Sequence, residues 1–179
     1  MKVWEYKSNT KDNLSALVND KGKDIVMTNK EMAKYLINEC THLTHGDIVI
    51  EPCKGSGSFY ENLPIYVNKL YCEINEGIDY LDFSGKVDIT LSNPPFVPRR
   101  LFWSFMEKAM ETTKKNIYWL LNMSSLNVFT PKRLDEMKDK RWFIQQFHIV
   151  ADKRWFGRYV WVKIGREDTG FISWTRRVF

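Results

Sequence analysis

Gly46-Asp47-Ile48-Val49-Ile50-Glu51-Pro52-Cys53-Lys54-Gly55-Ser56-Gly57-Ser58-Phe59 decides how the rest of this 179-residue chain is read. Asp47 to Ile50 is a short run rich in β-branched residues, the pattern of a buried strand in a parallel sheet. It ends at an acidic residue and a proline. The turn that follows, Glu51 to Gly57, carries two glycines spaced so that a backbone without Cβ atoms can approach a ligand closely. Ser58 to Glu61 then reads as a short helix closed by Pro64. A helix N-terminus behind such a turn favours a carboxylate.

Working outward, strands and helices alternate. Upstream, Thr28 is expected to cap a helix, with Glu31 three residues on and apolar Met32, Ala33, Leu36 and Ile37 on one face. Downstream, Lys69 to Cys72 reads as a strand ending at Glu73, and a shorter one is expected around Gly77 to Leu81. Val87 to Ser92 is a further strand, stopped by Pro94-Pro95. A helix follows over about Arg100 to Thr113, with Leu101, Phe102, Phe105, Met106, Ala109 and Met110 on its apolar face. Ile117 to Leu121 is a strand, Met123 to Pro131 a loop, and Lys132 to Lys140 a charged helix. Strands near Phe143–Val150, Tyr159–Ile164 and Phe171–Val178 lack helix-length spacers, which predicts an antiparallel C-terminal edge. The pattern as a whole predicts an open α/β sheet, mostly parallel, with ligands beyond the carboxyl ends of its strands. Residues 1–24, polar and weakly periodic, read as an N-terminal arm, and 25–179 as a single domain.

Composition narrows the classes. A hydrophobic content of 44% excludes a chain disordered throughout, and 27% charged residues suit a soluble protein. No stretch approaches the roughly 20 apolar residues a membrane span needs. The first residues lack the apolar core of a signal peptide, so an intracellular (cytoplasmic) location without membrane contact is expected. Cys40, Cys53 and Cys72 are an odd set, as free thiols in a reducing compartment would be. Cys40, His42, His45 and Cys53 raise the question of zinc, but no Cys-x-x-Cys pair accompanies them and a strand separates Cys53 from the rest. They are read as a buried thiol and surface histidines, with no metal.

The net charge of +5 is uneven. Residues 1–125 hold 15 Lys/Arg against 16 Asp/Glu, whereas residues 126–179 hold 12 against 6. Trp142, Trp155, Tyr159, Trp161 and Trp174 are interleaved with this basic excess. Basic charge attracts phosphate and aromatic faces stack on unpaired bases. A solvated basic surface over an aromatic core would give the same composition.

A second segment, Ser92-Asn93-Pro94-Pro95-Phe96, also sits at a strand end. Its prolines stiffen the backbone and remove two donors, so a carbonyl and the Asn93 side-chain oxygen form a rigid pair of acceptors beside an aromatic ring. Together the two segments resemble motifs I and IV of the class I methyltransferases that modify amino groups, in which one strand ends in Asp/Glu-Pro-x-x-Gly-x-Gly-x-Phe and a later one in Asn/Asp/Ser-Pro-Pro-Tyr/Phe. Asn-Pro-Pro-Phe is similar to the N6-adenine branch (the NPPF motif). The likeness covers about residues 25 to 125.

That resemblance implies a Rossmann-like fold, S-adenosyl-L-methionine as cofactor, and methylation of adenine N6 in nucleic acid, DNA ahead of RNA. It implies that Glu51, Pro52, Gly55 and Gly57 line the methionine part of the cofactor, joined by Thr28, with Asn29 standing where the family usually has proline. Glu73 would bond the ribose hydroxyls. Asp79, followed by Tyr80, would accept from the adenine amino group, with Asp82-Phe83 the competing choice. Asn93, Pro94, Pro95 and Phe96 would be catalytic, Phe96 stacking on the target base and Asn93 also touching the cofactor. Lys153, Arg154, Trp155 and Arg158, with the Ser124–Pro131 stretch, are the expected nucleic-acid contacts. Nothing after Phe96 is long enough for a target-recognition domain, which points to a short recognition sequence, a single-stranded or RNA target, or a homodimer or second subunit. Two alternatives share the motif: a protein glutamine N5-methyltransferase, which usually carries Tyr at the Phe96 position, and a non-catalytic partner subunit of the same fold.

Overall fold

A computed structural model describes residues 28–96, 98–151 and 158–178. Helix α1 (Lys30–Cys40) is followed by β1 (Ile48–Glu51), β2 (Asn68–Tyr71), β3 (Val87–Ser92), α2 (Arg99–Thr112), β4 (Thr113–Asn122), α3 (Pro131–Asp139), β5 (Phe143–Ala151), β6 (Tyr159–Gly165) and β7 (Ser173–Val178). The seven strands form one sheet in the order β2-β1-β3-β4-β6-β5-β7. The fold is therefore α/β with a mostly parallel sheet.

Strands β2, β1, β3 and β4 are mutually parallel. β6 runs antiparallel to both β4 and β5. β7, at the outer edge, is parallel to β5 rather than antiparallel. The sequence predicts the reversal in this part of the chain but not that β6 alone carries it. It follows that β5 and β7 point the same way as β1 and β3.

Why these elements form is largely visible in the residues. Asn29, not Thr28, caps α1: its side-chain oxygen accepts from the N–H groups of Glu31 (2.9 Å) and Met32 (3.3 Å). Both residue types cap helices well, and here the hydroxyl of Thr28 is engaged elsewhere. Met32, Ala33, Leu36 and Ile37 are buried on the inner face of α1. They join Val49, Leu91, Tyr118 and Trp161 in the core on that side of the sheet. On the other side α2 buries Phe102, Trp103, Phe105, Met106, Ala109, Met110 and Thr112, and a second core forms with Trp119, Met137 and Trp142. α3 begins on Pro131, with the Thr130 hydroxyl accepting from the Arg133 N–H, and it buries Met137 alone.

Two local expectations need correction, and an alternative left open is decided. Gly77 to Leu81 is not a strand. The segment folds into short 3-10 turns at Ile74–Glu76 and Tyr80–Asp82, joined by a single bridge between Glu73 and Ile78. Glu73 and Asp79 cap these turns with their own carboxylates, a local alternative to strand pairing. Met123 to Pro131 is not an open loop either, because Met123–Val128 is a 3-10 helix capped by the Asn122 side chain. Trp142, Tyr159 and Trp161 are core residues, each no more than 2% exposed. Trp161 stacks between Phe59 and Tyr118, with ring centroids 5.2 and 5.8 Å away. These three rings build the sheet and offer no face to a base. Trp155 lies outside the described residues, as does the N-terminal arm 1–24.

Candidate active site

The carboxyl ends of β1, β2 and β3 are Glu51, Tyr71 and Ser92, and these three strands are neighbours. The chain therefore places residues 52–59, 72–79 and 93–96 along one rim of the sheet. The first two are tied together by backbone. The Cys72 N–H donates to the Glu51 carbonyl (2.9 Å), and the Lys54 N–H to the Cys72 carbonyl (3.0 Å).

Within the first segment, Gly55 and Gly57 both have positive φ, 51° and 82°. L-residues with a Cβ avoid that region. A Cβ at Gly57 would also stand 3.2 Å from the Glu61 Oε1. The Gly57 N–H closes the turn onto the Lys54 carbonyl at 2.7 Å. The Gly55 N–H donates to Glu73 Oε2 at 2.7 Å. The other oxygen of Glu73 accepts from the backbone and side-chain N–H groups of Asn75. A carboxylate accepts about four hydrogen bonds, so Glu73 holds the glycine turn and keeps acceptor capacity on the rim.

Glu51 is 2% exposed. Its Oε2 accepts the Tyr60 N–H at 2.8 Å. Burial raises its pKa well above the ordinary carboxylate value, with Glu73 and Glu61 adding to the rise and the Tyr60 N–H and Lys54 opposing it. The folded chain thus holds a proton here that the unfolded chain releases, and native stability falls as pH rises from the ordinary value through the raised one. A bound cation beside Glu51 would reverse the preference and expel that proton. If the carboxylate meets a cofactor ammonium, the dissociation constant falls by up to about tenfold per pH unit toward the raised pKa and levels off above it. Isothermal titration across pH, in buffers of different protonation enthalpy, reads both the slope and the released proton. Glu51→Gln should flatten the slope, weaken binding and raise the melting temperature of the unliganded chain at pH 7. A slope unchanged in that variant would remove Glu51 from the cofactor pocket.

Pro52 is buried and Asp79 is half-buried, its Oδ1 accepting the Leu81 N–H at 2.9 Å, whereas the competing Asp82 is exposed. Tyr80 departs from expectation. Its ring is 1% exposed and packs with Ile50, Cys72, Val87 and Phe105, and burial holds its phenol protonated. The side chain expected at the cofactor is a core residue.

In the third segment Pro94 is buried and Pro95 and Phe96 half-buried. Phe96 rests against the α2-side core, so only part of its ring is available for stacking. The Asn93 Nδ2 donates to Thr28 Oγ1 at 3.2 Å. That bond fixes the sense of the amide and leaves Oδ1, shielded from solvent, as its acceptor branch. Thr28 also links back to the glycine turn, since the Ser58 hydroxyl donates to its carbonyl at 2.7 Å. One buried threonine thereby connects the first and third segments.

Two participants were not read from the sequence. Ser58 is buried and joins the turn to Thr28; a serine after glycine gives no signal of this. Lys54 lies over the Tyr71 ring (3.7 Å to the centroid) and pairs with Glu76 at 2.8 Å, and Glu76 also accepts from the Tyr71 hydroxyl. These residues are 22 positions apart at most, and only the fold brings them together. Of the expected nucleic-acid contacts, Lys153, Arg154 and Trp155 lie outside the described residues, and Arg158 is exposed, its carbonyl accepting the Met123 N–H. Among the described residues no group of three or more His, Cys, Asp or Glu side chains is placed to hold a metal ion, and no helix is long and apolar enough to cross a membrane.

The fold is that of class I methyltransferases. A putative class I S-adenosylmethionine-dependent methyltransferase from Listeria monocytogenes superposes with a TM-score of 0.65 at 13% identity, covering 92% of this chain and 71% of its own. The M protein of the type I restriction enzyme EcoKI gives 0.59 at 13% identity, covering 80% and 44%. The 23S rRNA methyltransferase ErmE gives 0.57 at 12%, covering 79% and 69%. No protein-family model matches the sequence, and no curated protein matches it.

Proposed function

We propose that this chain is a methyltransferase that uses S-adenosyl-L-methionine to methylate an exocyclic amino nitrogen, with adenine N6 in a nucleic acid as the target and DNA ahead of RNA. The observation that carries this reading is the Asn93 amide, locked by Thr28 at the end of β3, beside the positive-φ glycine turn at the end of β1. The rim fits the cofactor's chemistry: a glycine turn without Cβ atoms, the Glu73 carboxylate against it, Asp79 further along, and buried Glu51 beneath. When bound, S-adenosyl-L-methionine supplies a methyl group activated by a sulfonium.

The chain's own residues would act on the target. An aromatic amino group donates its lone pair into the ring and is a weak nucleophile. The Asn93 Oδ1 and the Pro94 carbonyl would accept its two N–H bonds and draw the nitrogen from planar toward tetrahedral geometry. Both bonds strengthen as positive charge builds on nitrogen, so they favour the transition state over the ground state. The two prolines hold these acceptors without reorganisation. Phe96 would stack on a base that has left its helix or was never paired. The 23S rRNA methyltransferase among the structural neighbours is named for a nucleic-acid substrate, which supports this class over a protein glutamine. Incubation with labelled cofactor and separate pools of DNA, RNA and protein, followed by nucleoside analysis, should yield N6-methyladenine. Label confined to protein, or no transfer in any pool, would overturn the reading.

A further inference from the structure

A groove of about 590 Å³ opens on the face of the sheet that carries α1. Its floor includes Tyr118 and His148, and its walls include Tyr35 from α1, Lys163 from β6, and Arg176 and Arg177 from β7. Glu39 is the sole carboxylate among the described residues lining it. The lining is polar and charged, which suits an anion and does not suit an apolar helix.

The groove is built rather than incidental. The Arg177 guanidinium lies over the Tyr35 ring at 4.5 Å. The Tyr35 hydroxyl is 3.1 Å from His148 Nε2, and His148 Nδ1 is 2.5 Å from the Thr175 hydroxyl. Burial and the nearby Arg177 lower the His148 pKa, so the groove's charge rests on Lys163 and Arg177.

Two other cations of the basic C-terminal third are committed to the fold. Arg166 donates to the carbonyls of Thr113, Lys114 and Lys140 and stacks on Trp142. Arg133 donates to the Val128 carbonyl and stacks on Trp103. Lys163 and Arg177 line the groove, Arg177 over the Tyr35 ring, whereas the side chain of Arg176, between Thr175 and Arg177 on the strand, projects from the opposite face. β7 runs parallel to β5, and Arg177 is paired with Val150 near its end. Arg176 and Arg177 thus lie toward the end of the sheet that carries Asn93.

We infer that this groove binds the phosphodiester backbone of the nucleic-acid strand that carries the target base. The inference rests on the nucleic-acid reading above and adds to it a surface for the strand. Each phosphate neutralised on a single strand contributes about −0.7 to the slope of log K against log salt.

The test is fluorescence anisotropy with a labelled 20-nucleotide single-stranded DNA, and the RNA of the same sequence, titrated over a series of salt concentrations. The double variant Lys163→Ala, Arg177→Ala should weaken binding at least tenfold and reduce the slope by about 1.4. Its affinity for S-adenosyl-L-methionine should stay unchanged, which also verifies folding. Arg177→Lys, which keeps charge but loses the planar fork, should fall between. A control pair on α3, Lys132→Ala, Lys138→Ala, should leave the slope intact. If wild type binds with a salt dependence that the groove double variant does not alter, or that the control pair lowers equally, the groove is rejected while the nucleic-acid reading stands. If wild type binds neither strand, that reading falls and the groove with it.

Discussion

Asn93→Ala is expected to lower kcat for methyl transfer by at least about a hundredfold, the scale seen when one preorganised polar group at a reacting centre is removed. The alanine deletes the Oδ1 acceptor and also the Nδ2 that donates to Thr28 Oγ1. It therefore tests two things at once, and a second variant separates them. Thr28→Val keeps Oδ1 but removes the bond that sets the amide's sense, so it should cost less, with Asn93→Asp intermediate because the carboxylate accepts but cannot donate to Thr28. Steady-state kinetics on a nucleic-acid pool, with cofactor affinity measured separately, distinguishes lost chemistry from lost binding. An Asn93→Ala protein that folds, binds cofactor and methylates at the wild-type rate would remove the amide from the mechanism.

How much of this could be read from residues alone depends on the range of the forces involved. The face of α1 was legible because Met32, Ala33, Leu36 and Ile37 repeat at helical spacing and are buried accordingly. The same holds for β3, whose apolar run ends at Pro94-Pro95. The two strand-end segments were legible because glycine and proline constrain the backbone wherever they stand. What sequence could not supply was anything decided between distant parts of the chain. β7 pairs with β5 in parallel because the chain after Gly165 crosses over to the outer edge, and neither strand's pattern encodes direction. Tyr80 follows an acidic residue as expected but turns into the core between α2 and the sheet. The interleaving of Trp and Tyr with Lys and Arg fitted base-stacking rings and an aromatic core equally well, and only the fold shows that Trp142, Tyr159 and Trp161 are buried.

The basic excess divides in the same way. Arg166 and Trp142 are 24 residues apart in sequence, yet the guanidinium sits 3.7 Å from the ring centroid. An arginine that caps three carbonyls is a structural part of the sheet, and counting it toward a phosphate footprint would overstate the attraction. Only after such cations are set aside does the groove beside Tyr35 stand out. Charge totals bound what a protein can bind, and geometry decides which charges are available to do it.

The second large effect is expected at Glu73. Glu73→Ala should weaken S-adenosyl-L-methionine binding by about 10- to 100-fold, as isothermal titration would show. Two losses combine. Any bond to the ribose hydroxyls goes, and so does the 2.7 Å acceptor for the Gly55 N–H, leaving a partly buried donor unsatisfied at about 1–3 kcal/mol. Asn75 loses its partner as well, so the glycine turn and the segment after β2 would both loosen. Glu73→Gln separates these contributions, because its one oxygen can still accept from Gly55 while a carboxylate's paired acceptors are gone. Its amide nitrogen cannot accept from Asn75, so its melting temperature should lie between those of wild type and the alanine variant, and it should bind cofactor more weakly than wild type. Equal affinity in the glutamine variant and wild type would confine Glu73 to holding the turn, and the ribose would have to be bound by another group on the rim.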